Sequence, residues 1–283
     1  ANETKYGTGL LAKGTGAKIE NNGTNAKITG SGLERTIGMS ALQGTTGSNN
    51  GTIDLSGNRV TGVYNEGTFN MTDGILKAAG EQSISLYSKG SSSITNITGG
   101  KIVAGKKAVG LYADSSTIGI KNPTKLEAHN EGLMFYNYAS NNPTNPSGRF
   151  NLTGDVEGDI ESGGTAFSFK GAASNTASFL NQMFNKGQAS SPGKLKLKLE
   201  DGATLFVLDS PGGAPIKLST VRTLGTALGD KVDISRTTSN KYKAYTVYKG
   251  SLEIDEAVNL DNETDNFYKM DFTASNVTIN ENI

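Results

Sequence analysis

Four carboxylates alternate along one stretch of the chain: Asp155, Glu157, Asp159 and Glu161, separated by Val156, Gly158 and Ile160. On a strand all four project to one face, roughly 7 Å apart. Such a row could ligate calcium through its oxygens, or supply the paired acids of glycoside cleavage. Against both stands the plainer reading of a solvated strand face with the apolar residues inside, which the alternation favours. The calcium-binding nonapeptide rich in Gly and Asp is missing. His129 is the single histidine, so a His-based triad, a multi-His metal site or a His general base would depend on it alone. It lies in Glu127-Ala128-His129-Asn130-Glu131, a polar surface turn. The chain has no cysteine, which excludes disulfides, thiolate metal sites and a cysteine nucleophile. Asn-x-Ser/Thr triplets begin at Asn22, Asn50, Asn70, Asn96, Asn151 and Asn276, among others, as expected by chance in a chain rich in Asn and Thr. No catalytic residue, resident metal or cofactor is expected.

The residues that recur in a pattern are tyrosines. Tyr64, Tyr87 and Tyr112 close the phrases Thr61-Gly62-Val63-Tyr64, Ile84-Ser85-Leu86-Tyr87 and Val109-Gly110-Leu111-Tyr112. Looser copies of the phrase begin at Gly9-Leu10, Gly38-Met39, Gly132-Leu133 and Ala166-Phe167. Aligned on the small residue at 9, 38, 62, 85, 110, 132 and 166, the steps are 29, 24, 23, 25, 22 and 34 residues. Self-similarity at such a period marks a solenoid. Each tyrosine follows a residue expected to point inward, so each points outward, and stacking makes an exposed aromatic ladder. Aromatics are enriched at interaction hot spots. A ladder of rings can equally serve to stabilise the exterior of the coils.

The elements that would position these residues are short strands. Alternation in Ile53-Asp54-Leu55, Phe69-Asn70-Met71, Ile118-Gly119-Ile120 and Phe150-Asn151-Leu152 gives a second strand after each phrase. A third apolar pair follows at Ile75-Leu76, Ile102-Val103 and, more loosely, Leu126. Three strands per coil of about 22–25 residues predict an all-β right-handed parallel β-helix. Leu10, Met39, Val63, Leu86, Leu111, Leu133 and Phe167 are then the rungs of one internal ladder. Glycine is abundant, at 37 of 283 residues, as many short strands joined by tight turns require.

Three regions follow. Residues 1–165 form regular coils. Residues 166–193 form an excursion whose stretch 174–186, with Phe179, Leu180, Met183 and Phe184 on one face, predicts a short amphipathic helix. Residues 194–283 form further, irregular coils. All six prolines lie after residue 122 and mark places where the chain leaves the stack. The loop containing Asn142, Pro143, Asn145 and Pro146 is an expected binding excursion.

Lysine plus arginine equals aspartate plus glutamate at 27 each, with no basic stripe, which argues against nucleic acid as a partner. No stretch approaches the roughly 18 apolar residues of a membrane span, so this segment is not expected to insert. Its opening and closing residues suggest part of a longer chain.

The Gly-Leu-Tyr-Ala phrases, Gly51-Thr52-Ile53-Asp54-Leu55, Gly67-Thr68-Phe69-Asn70-Met71 and Asp201-Gly202-Ala203-Thr204-Leu205-Phe206-Val207-Leu208 resemble the passenger region of bacterial type V autotransporter adhesins, most of all the large fusobacterial ones. The likeness extends over most of residues 1–210 as repeat grammar. It implies a β-helical stalk on the bacterial cell surface, covalently continuous with a C-terminal outer-membrane β-barrel. Its partner would be a host cell-surface glycoprotein or a ligand on another microbe. A polysaccharide lyase or hydrolase, or a stalk spacing a distal binding tip, are the alternatives on the same fold.

Overall fold

A computed structural model of the chain describes residues 7–138, 148–170 and 193–209, and beyond them 215–217, 219, 232–236, 245–249, 251–255, 257, 269–272 and 276–279. The architecture is a parallel β-solenoid. Over residues 8–160 each turn contributes one short strand to each of three sheets. The first turns are β1 (Thr8–Ala12), β2 (Lys18–Asn21) and β3 (Lys27–Glu34), then β4 (Ile37–Ala41), β5 (Thr46–Asn49) and β6 (Thr52–Asn58). They continue with β7 (Thr61–Asn65), β8 (Thr68–Met71) and β9 (Ile75–Ala79), then β10 (Ser83–Lys89), β11 (Ile94–Ile97) and β12 (Lys101–Ala104). Next come β13 (Ala108–Asp114), β14 (Thr117–Lys121) and β15 (Lys125–Ala128), then β16 (Leu133–Tyr138), β17 (Arg149–Thr153) and β18 (Val156–Ile160).

The stack runs on through β19 (Thr165–Lys170), β20 (Leu195–Leu199), β21 (Thr204–Asp209), β22 (Ile216–Lys217), β23 (Val232–Arg236), β24 (Tyr245–Lys249), β25 (Ser251–Ile254), β26 (Lys269–Phe272) and β27 (Asn276–Ile279). Sheet A runs from β1 through β4, β7 and so on to β26, in ten strands. Sheet B holds β2 to β17, and sheet C holds β3 to β23. Beyond β21 a separate three-stranded sheet, β22-β25-β27, takes the place of sheet B in chain order.

The local reason for this winding lies in the burial pattern. In sheets B and C apolar residues alternate with polar ones, as in β8, β18 and β20, so one face packs inward. Sheet A departs from strict alternation: in β7, Gly62 and Val63 are both buried, and Tyr64 then turns outward. Two successive inward residues leave room for only a small first member. A Cβ at Gly62 would lie 2.6 Å from the Ser85 carbonyl oxygen and 2.7 Å from Leu76 Cδ1. Ser85 fits the same column because its hydroxyl donates to the Val103 carbonyl at 2.6 Å and accepts from the Ala78 N–H at 2.9 Å.

The core is one continuous column of side chains. Met39, Val63, Leu86 and Leu111 stack in register and are fully buried. Each contributes roughly 1.5–3 kcal/mol of burial. Further along, the rungs become aromatic: Phe135 lies against Phe167 with centroids 5.3 Å apart and against Phe150 at 5.1 Å, and Phe167 against Phe206 at 5.9 Å.

Four expectations need correction. Leu133 is not a core rung: it pairs with Val109 and is only half-buried, and the rung opposite Leu111 is Phe135. The buried small-residue place is taken by Met134, whose flexible thioether lies over the space that Gly110 leaves, 2.9 Å from a Cβ built there. Second, Ile53-Asp54-Leu55 belongs to the third strand of its coil, pairing with Leu76 and Ala78. The second strand is β5, Thr-Gly-Ser-Asn, whose inward residues are Gly47 and Asn49. Gly47 leaves space filled by Phe69 and Met39, and Asn49 accepts from Asn21 Nδ2 at 2.7 Å inside the stack. Third, Pro123 does not mark an exit. It follows a cis peptide in the turn between β14 and β15, both of which stay in the stack. Fourth, residues 166–170, assigned to the excursion, are the continuation of β19 in sheet A. The proposed helix at 174–186 lies outside the described residues.

Candidate functional site

The outward column of sheet A is a stack of aromatic rings. Register places Tyr64, Tyr87, Tyr112 and Tyr136 directly over one another. Tyr64 meets Tyr87 edge-on with centroids 5.4 Å apart. Tyr87 and Tyr112 are face to face at 4.9 Å, and Tyr112 meets Tyr136 edge-on at 5.1 Å. Alternating edge and face contacts suit the ring quadrupole. All four rings are half-buried. Beside them runs a second outward column, Ile84, Val109 and Leu133, also half-buried. The face is therefore a stripe of rings with an aliphatic shoulder.

Carboxylates hold the phenols of this stripe. Tyr64 donates its hydroxyl to Glu66 Oε1, and Tyr87 donates to Asp114 Oδ2 at 3.0 Å. Burial pushes both hydroxyls far above the ordinary tyrosine range, and the carboxylate each one faces pushes further in the same direction. Both therefore remain neutral donors at any physiological pH. Two of the expected residues thus come with polar partners, Glu66 and Asp114, that the repeat pattern did not single out. Tyr136 was also missed. Its signal was present in Leu133-Met134-Phe135-Tyr136, once Met134 is allowed in the small-residue place.

The carboxylate row occupies the outer face of sheet C. Glu157 and Asp159 are exposed on either side of buried Gly158. Asp155 accepts from Lys196 Nζ at 2.8 Å and from the Lys194 N–H at 3.1 Å. These contacts, Lys196 first, hold its carboxyl below the usual carboxylate range. Glu157 pairs with Lys125 at 3.4 Å, and Asp159 lies in register between Glu127 and Lys198. Glu161 is 3.6 Å from His129 Nε2, which is also 3.5 Å from Glu127, itself bound to Lys101 at 2.6 Å. His129 follows the last residue of β15, in the turn expected for it. The row thus meets lysines and a histidine from flanking coils. Among the described residues no three His, Cys, Asp or Glu side chains converge as metal ligands.

Asn142, Pro143, Asn145 and Pro146 lie outside the described residues. No described helix is long and apolar enough to cross a membrane. The described surface offers an aromatic stripe with hydroxyl donors fixed on carboxylates, and an ionic lattice on another sheet. No family model, no curated protein and no solved structure matches this chain.

Proposed function

We propose that this chain is a section of the extracellular stalk of a bacterial autotransporter adhesin, attaching to a host cell-surface glycoprotein or to a ligand on another microbe. In this reading it continues into a C-terminal β-barrel in the outer membrane and does not itself enter the bilayer. The observation that carries the reading is the four-ring stripe Tyr64–Tyr87–Tyr112–Tyr136 on the outside of a long parallel solenoid. Ring edges and an aliphatic shoulder, presented on a rigid sheet, give a contact surface with little conformational freedom left to lose on binding. The solenoid also supports the reading, because each turn adds reach without needing a larger core.

The test is attachment of the isolated fragment to cultured host cells and to partner bacteria. Replacing all four tyrosines by Ser is expected to cut attachment at least about tenfold. Unchanged attachment by a variant that melts like the parent would reject the stripe as the binding surface. Failure of the unaltered fragment to attach at all would favour a spacer. The enzymatic alternative draws on the carboxylate row, whose members face lysines and His129 in place of an open cleft. Release of reducing ends or unsaturated products from acidic glycans would revive it.

A further inference from the structure

A groove of about 550 Å³ runs along the outer face of sheet B, crossing β8, β11, β14 and β17. Its central column is Asn70, Asn96, Gly119 and Asn151, in register from coil to coil. Thr72, Thr98 and Thr153, two residues further along their strands, line the same groove. Asn96 Nδ2 donates to Asn70 Oδ1 at 3.1 Å, so the amides begin a ladder. Gly119 interrupts it. A Cβ built on Gly119 would meet only the Thr95 carbonyl oxygen at 3.4 Å and Asn96 Oδ1 at 3.6 Å, which leaves a notch one side chain deep. On the far side of the notch Asn151 Oδ1 is buried and accepts no hydrogen bond among the described residues. A buried acceptor without a donor is unfavourable and is normally answered by one.

A ligand that answers this acceptor must bring donors. Amides and hydroxyls line the groove, and among the described residues Lys121 is its one charged lining side chain, with no carboxylate to hold a cation. The polar columns repeat at the coil spacing of about 4.8 Å, whereas a polypeptide strand laid along the same axis would repeat at roughly 3.3 Å per residue and fall out of step. An extended β-1,4-linked pyranose chain advances by nearly one coil spacing per sugar. Its hydroxyls both donate and accept, as Asn amides and Thr hydroxyls do. We propose that this groove binds an extended, neutral β-1,4-linked glycan lying along the solenoid axis, with one sugar hydroxyl seated in the notch over Gly119, towards which the half-buried Asn151 side chain turns its Oδ1 to accept. This site lies on a different sheet from the tyrosine stripe and stands independently of it.

The experiment is calorimetric titration of the 283-residue chain with cellohexaose and with chitohexaose. Saturable binding of at least one is expected. Gly119→Asn, which fills the notch by completing the ladder, should weaken it about tenfold, and Asn151→Ala, which removes the acceptor, by a similar factor. Tyr87→Ser with Tyr112→Ser should leave it unchanged. Melting curves check that each variant folds; Gly119→Asn has room to fold and decides the matter if Asn151→Ala does not. Three results would overturn the proposal: no saturation by either hexasaccharide at millimolar concentration, full affinity in Gly119→Asn, or loss of affinity in the tyrosine variant alone.

Discussion

Tyr87 shows how much one side chain can be asked to do on a solenoid. Its ring is held on both faces by neighbours and its hydroxyl is fixed on Asp114. Spectrophotometric titration of the phenols should therefore show Tyr64 and Tyr87 ionising well above the ordinary value of 10.0. Asp114→Asn should bring Tyr87 back towards it. The sign for stability follows: the unfolded chain loses these protons first, so the contribution is fully present below about pH 10 and is lost as pH rises above it. A melting temperature flat across that range would contradict the assignment.

The small residue two places before Tyr64 is a second residue-scale test. Gly62→Val forces a side chain against the Ser85 carbonyl and Leu76, and overpacking of this kind costs about 1–3 kcal/mol. Chemical denaturation should report it. At this scale the spacing of Gly62, Ser85 and Gly110 made three tyrosines legible, because a doubled inward pair leaves a visible small-apolar-Tyr trace. Tyr136 escaped because Met134 fills the space over Gly110 from the neighbouring coil, a solution that depends on three-dimensional overlap and leaves no small residue to read.

Among the elements, the strands that carried an alternating apolar face were legible and those that did not were missed. β8, β14 and β17 each bury two large apolar residues. β5 buries Gly47 and Asn49, so its sequence reads as a turn, although its inward residues meet Phe69 of one neighbouring coil and Asn21 of the other. The aromatic rungs make the complementary prediction. Phe135 touches both Phe150 and Phe167, so Phe135→Ala opens a cavity between β16, β17 and β19 and should cost about 3–5 kcal/mol. Proteolysis should show the loss concentrated near those strands, since a solenoid transmits instability mainly to adjacent coils. Uniform destabilisation of distant β4 and β7 would argue for longer-range coupling.

For the whole molecule, the class of fold was the most legible feature, because repetition multiplies a weak signal. The outer face of sheet C shows what repetition does to charge. Lys77–Asp54, Lys101–Glu127, Lys125–Glu157 and Lys196–Asp155 link successive coils, yet their side chains remain partly in solvent. Exposed pairs contribute about 0–1 kcal/mol each. Raising salt from about 0.05 to 1 M should therefore shift the melting temperature by only a few degrees, because screening removes little. A collapse of the fold at high salt would mean that the lattice, and not the apolar column, holds the coils.

The parallel register has a mechanical consequence. Interstrand hydrogen bonds lie across the strands and so run along the solenoid axis, and a pull along that axis loads them one turn at a time. Leu86 sits directly over Val63, so one turn stores 23 residues (86 minus 63) of chain. Folded, that turn advances the rod by about 4.8 Å; drawn out, it spans up to about 80 Å. Each turn that peels away would replace about 4.8 Å of rod with up to about 80 Å of tether while the remaining turns stay wound. A stalk built this way would yield to a tug by paying out line, so that a contact at its far end need not bear the whole of a sudden load.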